Sequence, residues 1–369
     1  MRATSLYFLV GLWAVDLAGC GGDSYRLGGL ADSREGSGGA AAEGGTAAGT
    51  GGNGGAGGSD AGSSGAGGAA GIGGAAGGSA LTQDVEKIVQ LDGYVNSVEA
   101  DEEFVYFNVW GRDVLRVDHS GLGLRHLAET ESFFMIADET HLYWTTSSDI
   151  RRVPKAGGAT EVVMTLGVPA GASLPAFYLA VDATHVFVST YADGKVVRAP
   201  KTGGTPEIVA RTEDTMGAIG AMGGIAVVDG SLFWADYEYV GNVYRTEIES
   251  GVTSLFFPNG AGRMQVVGDD LWILPVTDEM VIVRAPIAGG ETKRYPFGDY
   301  STNFSSDGLH VYWCSDALMR INLATDAVEK VADVYARPAG LAVTQHFIFV
   351  GDEGIGLNGG IHRISKPPP

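Results

Sequence analysis

Histidine, serine, cysteine and carboxylate side chains are where chemistry would begin in this chain, and their spacing is the first test of it. His141, His185, His310 and His346 each stand two residues before a pair of large side chains: Tyr143-Trp144, Phe187-Val188, Tyr312-Trp313 and Ile348-Phe349. Equivalent positions in separate repeats lie far apart in a folded array, so these four histidines do not make one metal centre. His119, His126 and His362 stand outside that pattern, and no His-Glu-x-x-His run or Cys/His set accompanies them. No metal site and no cofactor are expected. No Gly-x-Ser-x-Gly elbow offers a serine nucleophile. The glycine runs near the N-terminus are not phosphate loops, because no strand pattern precedes them and no helix pattern follows.

A recurring carboxylate is the stronger signal. Asp113, Asp149, Asp193, Asp236, Asp278, Asp316 and Asp352 each fall between two strand-like runs. Glu238, Glu279 and Glu353 stand beside some of them, and Trp110, Tyr191, Tyr237 and Tyr239 lie close by. Two readings are open. Aspartate favours turns for its local hydrogen bonds; alternatively, Asp113, Asp149, Asp193, Tyr191, Asp236, Tyr237, Glu238, Tyr239, Asp278, Asp316, Asp352 and Trp110 form an acidic, aromatic binding face. Seven arginines recur as well: Arg116, Arg152, Arg198, Arg245, Arg284, Arg320 and Arg363. They could form a cationic ring, but a charge-assisted pair inside each repeat, joining the arginine to a turn aspartate such as Asp101 or Asp138, accounts for the recurrence more simply.

The elements that must position these groups follow from the arginine intervals of 36, 46, 47, 39, 36 and 43 residues. Each interval holds four short strand-like runs. The first is small and apolar, as in Ser97-Val98-Glu99-Ala100 or Ile225-Ala226-Val227-Val228; the second carries the large pair; the third ends in arginine; a Gly-Gly turn and an outer run such as Glu161–Met164 follow. Such a unit cannot bury both faces alone, so a radial array is expected. The expected fold is all-β: a seven-bladed β-propeller of four-stranded blades over residues 83–369. The last repeat lacks its outer strand, because the chain ends in three prolines, and Glu86–Leu91 matches the missing phrase. That segment is expected to close the ring and remove an open edge. The innermost runs look apolar or small, which leaves little for catalysis at the axis. An enzyme is therefore the second reading, a lyase or lactonase with its site at the axial mouth.

Tyr143-Trp144-Thr145-Thr146, Phe233-Trp234-Ala235-Asp236 and Tyr312-Trp313-Cys314-Ser315 resemble the YWTD repeat of lipoprotein-receptor β-propellers. The likeness covers most of the body, although no repeat has all four letters and that family has six blades. It implies a protein-binding or scaffolding platform rather than catalysis.

The N-terminal portion points to export. Arg2 precedes an apolar run from Leu6 to Val15, and Leu17-Ala18-Gly19-Cys20 resembles the lipobox of bacterial lipoproteins. That resemblance implies cleavage after residue 19 and acylation of Cys20. Asp16, inside the apolar region, departs from the usual pattern. Residues 20–82 would then be the lipidated cysteine and a disordered Gly/Ala/Ser-rich tether, whose composition cannot bury enough surface to repay its ordering. An acylated Cys20 leaves Cys314 as a packed thiol without a disulfide partner.

The formal charge is −20, and residues 81–369 carry 38 acids against 21 bases. That balance excludes nucleic acid, whose phosphates need a basic footprint. The expected protein is a monomer of the bacterial envelope, held by a lipid anchor at the outer membrane on its periplasmic or outer side, whose acidic face meets a protein, glycan or cationic partner.

Overall fold

The computed structural model describes residues 83–167, 176–190, 193–216, 222–236, 241–260, 262–275, 281–296, 303–315, 317–334, 338–352 and 359–368. The leader, Cys20 and the tether lie outside these residues. The described chain folds into a seven-bladed β-propeller of four-stranded antiparallel sheets. Blades 1 to 6 begin at Val95, Met135, Ala176, Met222, Gly262 and Phe304, and in each the strands are ordered as they occur in the chain. Blade 7 takes Pro338–Val343, Phe347–Asp352 and Gly360–Ser365 from the C-terminal end, and Val85–Gln90 as its outer strand. Val85 stands opposite Ile364, and Gln90 opposite Gly360. The N-terminal strand therefore closes the ring as its sequence phrase predicts.

The second strand of each blade is the most apolar, since it is covered on both faces. Leu142, Tyr143 and Trp144 are all sealed, as are Leu271, Trp272 and Ile273. The core is not one mass but seven clusters, each lying between two adjacent blades. Tyr106 and Val114 of blade 1 meet Met135, Leu142 and Trp144 of blade 2. At the closure, Val89, Phe349 and Ile361 of blade 7 meet Val95, Val98 and Phe107 of blade 1. One blade alone leaves both faces wet, whereas the ring buries every face, and that gain drives closure. Gly340 of blade 7 lies against the backbone of Ser97 and the side chain of Val98, where a Cβ would collide.

The turn aspartates build the first hairpin of the blade. Asp138 Oδ1 accepts the backbone N–H of Thr140 at 2.8 Å and of His141 at 2.7 Å, while Oδ2 accepts the Tyr143 hydroxyl at 2.9 Å. Asp101 with Tyr106, and Asp307 with Tyr312, repeat the motif. The lysine after the third strand of the next blade completes it: Lys201 reaches Asp138 at 2.8 Å and Lys155 reaches Asp101 at 3.5 Å. Lys366 plays the same part for Asp307 at 2.7 Å. Burial pushes the Asp138 carboxyl upward, but Lys201, the two turn N–H groups and Tyr143 together hold it well below its ordinary value. Lys155 and Lys201 are thus mostly buried in ion pairs between blades and do not present a cationic face.

The recurring arginines do not form the pairs that the repeat suggested. Arg152, Arg320 and Arg363 pair with outer-strand glutamates, Glu161 at 2.5 Å, Glu329 at 2.8 Å and Glu86 at 2.5 Å, and Arg198 pairs with Glu207. Among the described residues, Arg284 alone of the seven arginines meets an aspartate at the start of its own second strand, Asp270, at 2.7 Å. The third strand lies between the second and the outer strand, so the guanidinium has two neighbours to choose from, and opposite Arg152, Arg198, Arg320 and Arg363 the outer one carries a glutamate. The other arm of the fork crosses to the next blade. Arg116 donates to the carbonyl of Lys155 at 2.9 Å, Arg152 to that of Lys201 at 2.6 Å and Arg320 to that of Pro368 at 3.1 Å. Arg363 donates to the carbonyl of His119 at 2.8 Å and so latches blade 7 to blade 1.

Candidate functional site

Antiparallel order puts two sets of loops on one rim: the hairpins between second and third strands, and the connections into the innermost strands. The carboxylates singled out in the sequence belong to this loop face. Asp113 opens a third strand and lies 3.4 Å from Arg112 and 3.6 Å from His126. Asp149 pairs with Arg151 at 3.2 Å, and Asp193 pairs with Lys195 at 2.7 Å and accepts the Thr190 hydroxyl. Burial raises the Asp193 carboxyl, but Lys195 and Thr190 outweigh it and hold the group below its usual range. Asp236 is buried and accepts the backbone N–H of Asn242 at 2.6 Å. Asp352 is buried too, in contact with His362 and 3.6 Å from Lys87. Each described acid is therefore engaged on its own blade. Tyr191, Tyr237, Glu238, Tyr239, Asp278 and Asp316 lie outside the described residues.

Trp110 is where the loop face gains substance. Its ring stacks on Tyr94 at 5.9 Å and meets Phe133 at 5.0 Å and Phe134 at 5.6 Å edge-on. Phe134 continues to Tyr178 at 6.1 Å. These five rings are neither sealed nor fully exposed, and they run from the rim of blade 1 across blade 2 to the innermost strand of blade 3. A buried polar staple holds them in place. The side-chain amides of Asn96 and Asn108 both donate to the Phe133 carbonyl, at 2.7 and 2.8 Å, and Ser97 Oγ accepts the Met135 N–H at 3.1 Å. Of this patch, sequence reading found only Trp110. Tyr94, Phe133 and Phe134 sit in connections between blades, where the repeat has no fixed letter.

The axis departs most from expectation. The innermost strands are not uniformly apolar or small: Glu99 of blade 1, Tyr178 of blade 3 and Arg263 of blade 5 lie on them. These blades do not adjoin, yet Arg263 acts on the charge of Glu99, and Tyr178 and Glu99 act on that of Arg263. Glu99, Tyr178 and Arg263 are half-buried rather than sealed. Burial pushes the Glu99 carboxyl up to about 7, against the opposing charges of Arg263 and Lys155. Burial likewise lowers Arg263, against Tyr178 and Glu99. Among the described residues, Glu99 and Arg263 make no direct hydrogen bond or ion pair with one another or with a third side chain. Among the described residues, no group of three or more metal-ligating side chains occurs.

The geometry defines a class, the β-propeller, and comparison with solved structures agrees. The WD40 propeller domain of Doa1 superposes with a TM-score of 0.59 at 12% identity, over 78% of this chain and 98% of that one. An oligogalacturonate lyase in complex with manganese gives 0.57 at 12% identity, over 78% and 97%. The extracellular domain of a putative one-component system from B. thetaiotaomicron gives 0.57 at 14% identity over 73% of this chain, which spans only 40% of that domain's length. At these identities the likeness is one of fold. No protein-family model matches the sequence, and no curated protein matches it either.

Proposed function

We propose that this chain is a lipid-anchored protein of the bacterial envelope whose propeller binds a protein, glycan or cationic partner on its loop face. The observation that carries the binding reading is the contiguous patch of Tyr94, Trp110, Phe133, Phe134 and Tyr178, half-buried on one rim. Clustered aromatic rings that keep one side in solvent supply large contact area at low entropic cost. Acidic loops around the patch favour partners of opposite charge, an effect that weakens with salt. The likeness of the aromatic phrase to YWTD repeats supports a platform of the receptor type. Anchorage and envelope location rest on the Leu17–Cys20 motif and the tether.

The test is capture on an array of envelope glycans and basic peptides. A Trp110→Ala, Phe133→Ala double variant should lose binding by about tenfold or more, while Val162→Ala with Leu255→Ala, on exposed outer strands, should leave it unchanged. Equal loss in both variants, or loss in neither, removes the loop face as the binding surface. One observation favours the enzymatic reading, a lyase or lactonase at the axial mouth: an acid, a phenol and an arginine are present on the innermost strands, and the acid is tuned near neutrality as a general base would be.

A further inference from the structure

Arg116 breaks a rule that the other six recurring arginines keep, which is to hold an acid. Arg152 shows the rule in full: Nη1 donates to the Lys201 carbonyl of the next blade, while Nε and Nη2 grip Glu161 at 2.8 and 2.5 Å. Arg198, Arg320 and Arg363 hold outer-strand glutamates too. Arg245 takes Glu247, two residues further along its own strand, at 2.7 Å. Arg116 makes the same crossing, from Nη1 to the Lys155 carbonyl at 2.9 Å, yet meets no acid among the described residues. Its Nε is buried and has no hydrogen-bond partner among them. The cause lies in the sequence of blade 1. Opposite Arg116, where those four outer strands carry glutamate, stands a second arginine, Arg125. Asp118 occupies the place of Glu247, but its shorter side chain serves its own hairpin, accepting the N–H groups of Ser120 and Leu122.

The two guanidiniums lie together. Directly opposed residues of neighbouring strands share one face of a sheet, and both arginines reach the same turn of blade 2. Arg116 meets it at the Lys155 carbonyl; Arg125 meets it at Gly157, where an added Cβ would stand 2.6 Å from an Arg125 nitrogen. Phe104 lies against Arg116, its ring centroid 4.1 Å from the guanidinium carbon, and Lys155 is already paired with Asp101. Blade 5 shows what such a pair of cations requires. There Arg284 stands opposite Lys293, and two carboxylates meet them. Asp270 lies 2.7 Å from Arg284, and Asp326 of blade 6 lies 3.5 Å from Arg284 and 2.5 Å from Lys293. In blade 1 the place of Asp270 is taken by Phe104. Asp326 stands six residues after Arg320, and the residue six after Arg152 is Gly158. Both acids that neutralise the blade 5 pair are therefore missing around Arg116 and Arg125.

We propose that this pair binds a phosphate group between blades 1 and 2, toward the rim opposite the loop face. The phosphate oxygens take the place of the absent carboxylates, on the Nε edge of Arg116 and on the exposed fork of Arg125. One carboxylate would neutralise only one of the two guanidiniums. A phosphate monoester carries about −1.5 to −2 at pH 7 and three strong acceptor oxygens, enough for both. Arginine suits this role better than lysine, because its planar fork matches phosphate geometry and is more weakly hydrated. The hairpin that carries Arg125 also exposes Leu122 and Leu124, at 69% and 45%. A soluble phosphomonoester and a lipid headgroup thus offer the pair the same chemistry. The site is separate from the aromatic patch and does not depend on what that patch binds.

The experiment is calorimetric titration of the intact chain with inorganic phosphate and with acetate, at low ionic strength and about pH 7.5, where phosphate is mostly dianionic. Phosphate should bind at least about tenfold more tightly than acetate. Arg125→Glu rebuilds the pair that Arg152 forms with Glu161. It should therefore fold, melt no lower than the wild type and lose phosphate affinity by about tenfold or more. Arg211→Glu, an equal charge change on the outer strand of blade 3, should leave affinity within about twofold. Glycerol 3-phosphate and vesicles containing phosphatidic acid then separate the sources. Vesicle capture that Arg125→Glu abolishes assigns a lipid headgroup, and binding of glycerol 3-phosphate without vesicle capture assigns a soluble ligand. Equal affinity for phosphate and acetate, no binding of phosphate, unchanged affinity in Arg125→Glu, or equal loss in the two variants overturns the proposal. The wild-type comparison needs no variant, so a misfolded Arg125→Glu leaves it decisive.

Discussion

The closing strand offers the most direct test of how the ring is held. Val89 lies on Val85–Gln90 and is 6% exposed, packed in the cluster shared by blades 7 and 1. Val162 lies on the outer strand of blade 2 and is 51% exposed. Truncating either to alanine removes the same two methyl groups from the same kind of strand, so intrinsic strand preference cancels in the comparison. What differs is burial. At about 0.8 kcal/mol per buried methylene, with an added term for the cavity, Val89→Ala should cost about 1.5–2.5 kcal/mol. Val162→Ala should cost about 0.5 kcal/mol or less. Urea unfolding followed by tryptophan fluorescence reads the difference, because Trp144, Trp234, Trp272 and Trp313 are all sealed between blades. In a domain of this size the Val89 variant should melt about 3–8 °C lower. Indistinguishable costs at the two positions would refute closure by a buried N-terminal strand, whatever the fate of the surface pair between Arg363 and Glu86.

Glu99→Gln should become more favourable to stability as pH rises: with the folded carboxyl near 7, the folded state holds a proton that the unfolded chain releases, so wild-type stability falls between about pH 4.5 and 7. The variant lacks that loss, and stability measured at pH 5 and 8 should diverge by about 1–3 kcal/mol; parallel curves would exclude the raised value. Asp138→Asn acts with the opposite sign, because the folded carboxyl is depressed: the variant should cost about 1–3 kcal/mol at pH 7, and the difference should shrink as the pH falls below about 4. A cost that is constant with pH would mean that Lys201 does not depend on the charge of Asp138. Cys20→Ser should move the protein from the membrane fraction to the soluble envelope or medium with its melting temperature unchanged, and equal retention of variant and wild type would rule out acylation as the anchor.

Much of the architecture is legible before any coordinates, because it is set by local patterns that repeat. Strand alternation, Asp138-type turns and the large pair at residues such as Tyr143-Trp144 occur within a few residues of each other, and seven recurrences imply a ring. Even the closing strand could be found, since Glu86-Lys87-Ile88-Val89 repeats the outer-strand phrase and a missing strand elsewhere needs it. Contacts between blades are another matter. The partners of Arg116 and Lys201 belong to neighbouring repeats, and no spacing within one repeat names them. The aromatic patch depends on connections whose letters vary from blade to blade. Glu99, Tyr178 and Arg263 are 79 and 85 residues apart in the chain and belong to three blades that are not neighbours in the ring. Glu99 reads as one polar letter in a small, apolar run. A strand's own pattern states which of its residues alternate, but which residues face one another across an axis is decided only when the ring closes and brings distant strand edges around a common space.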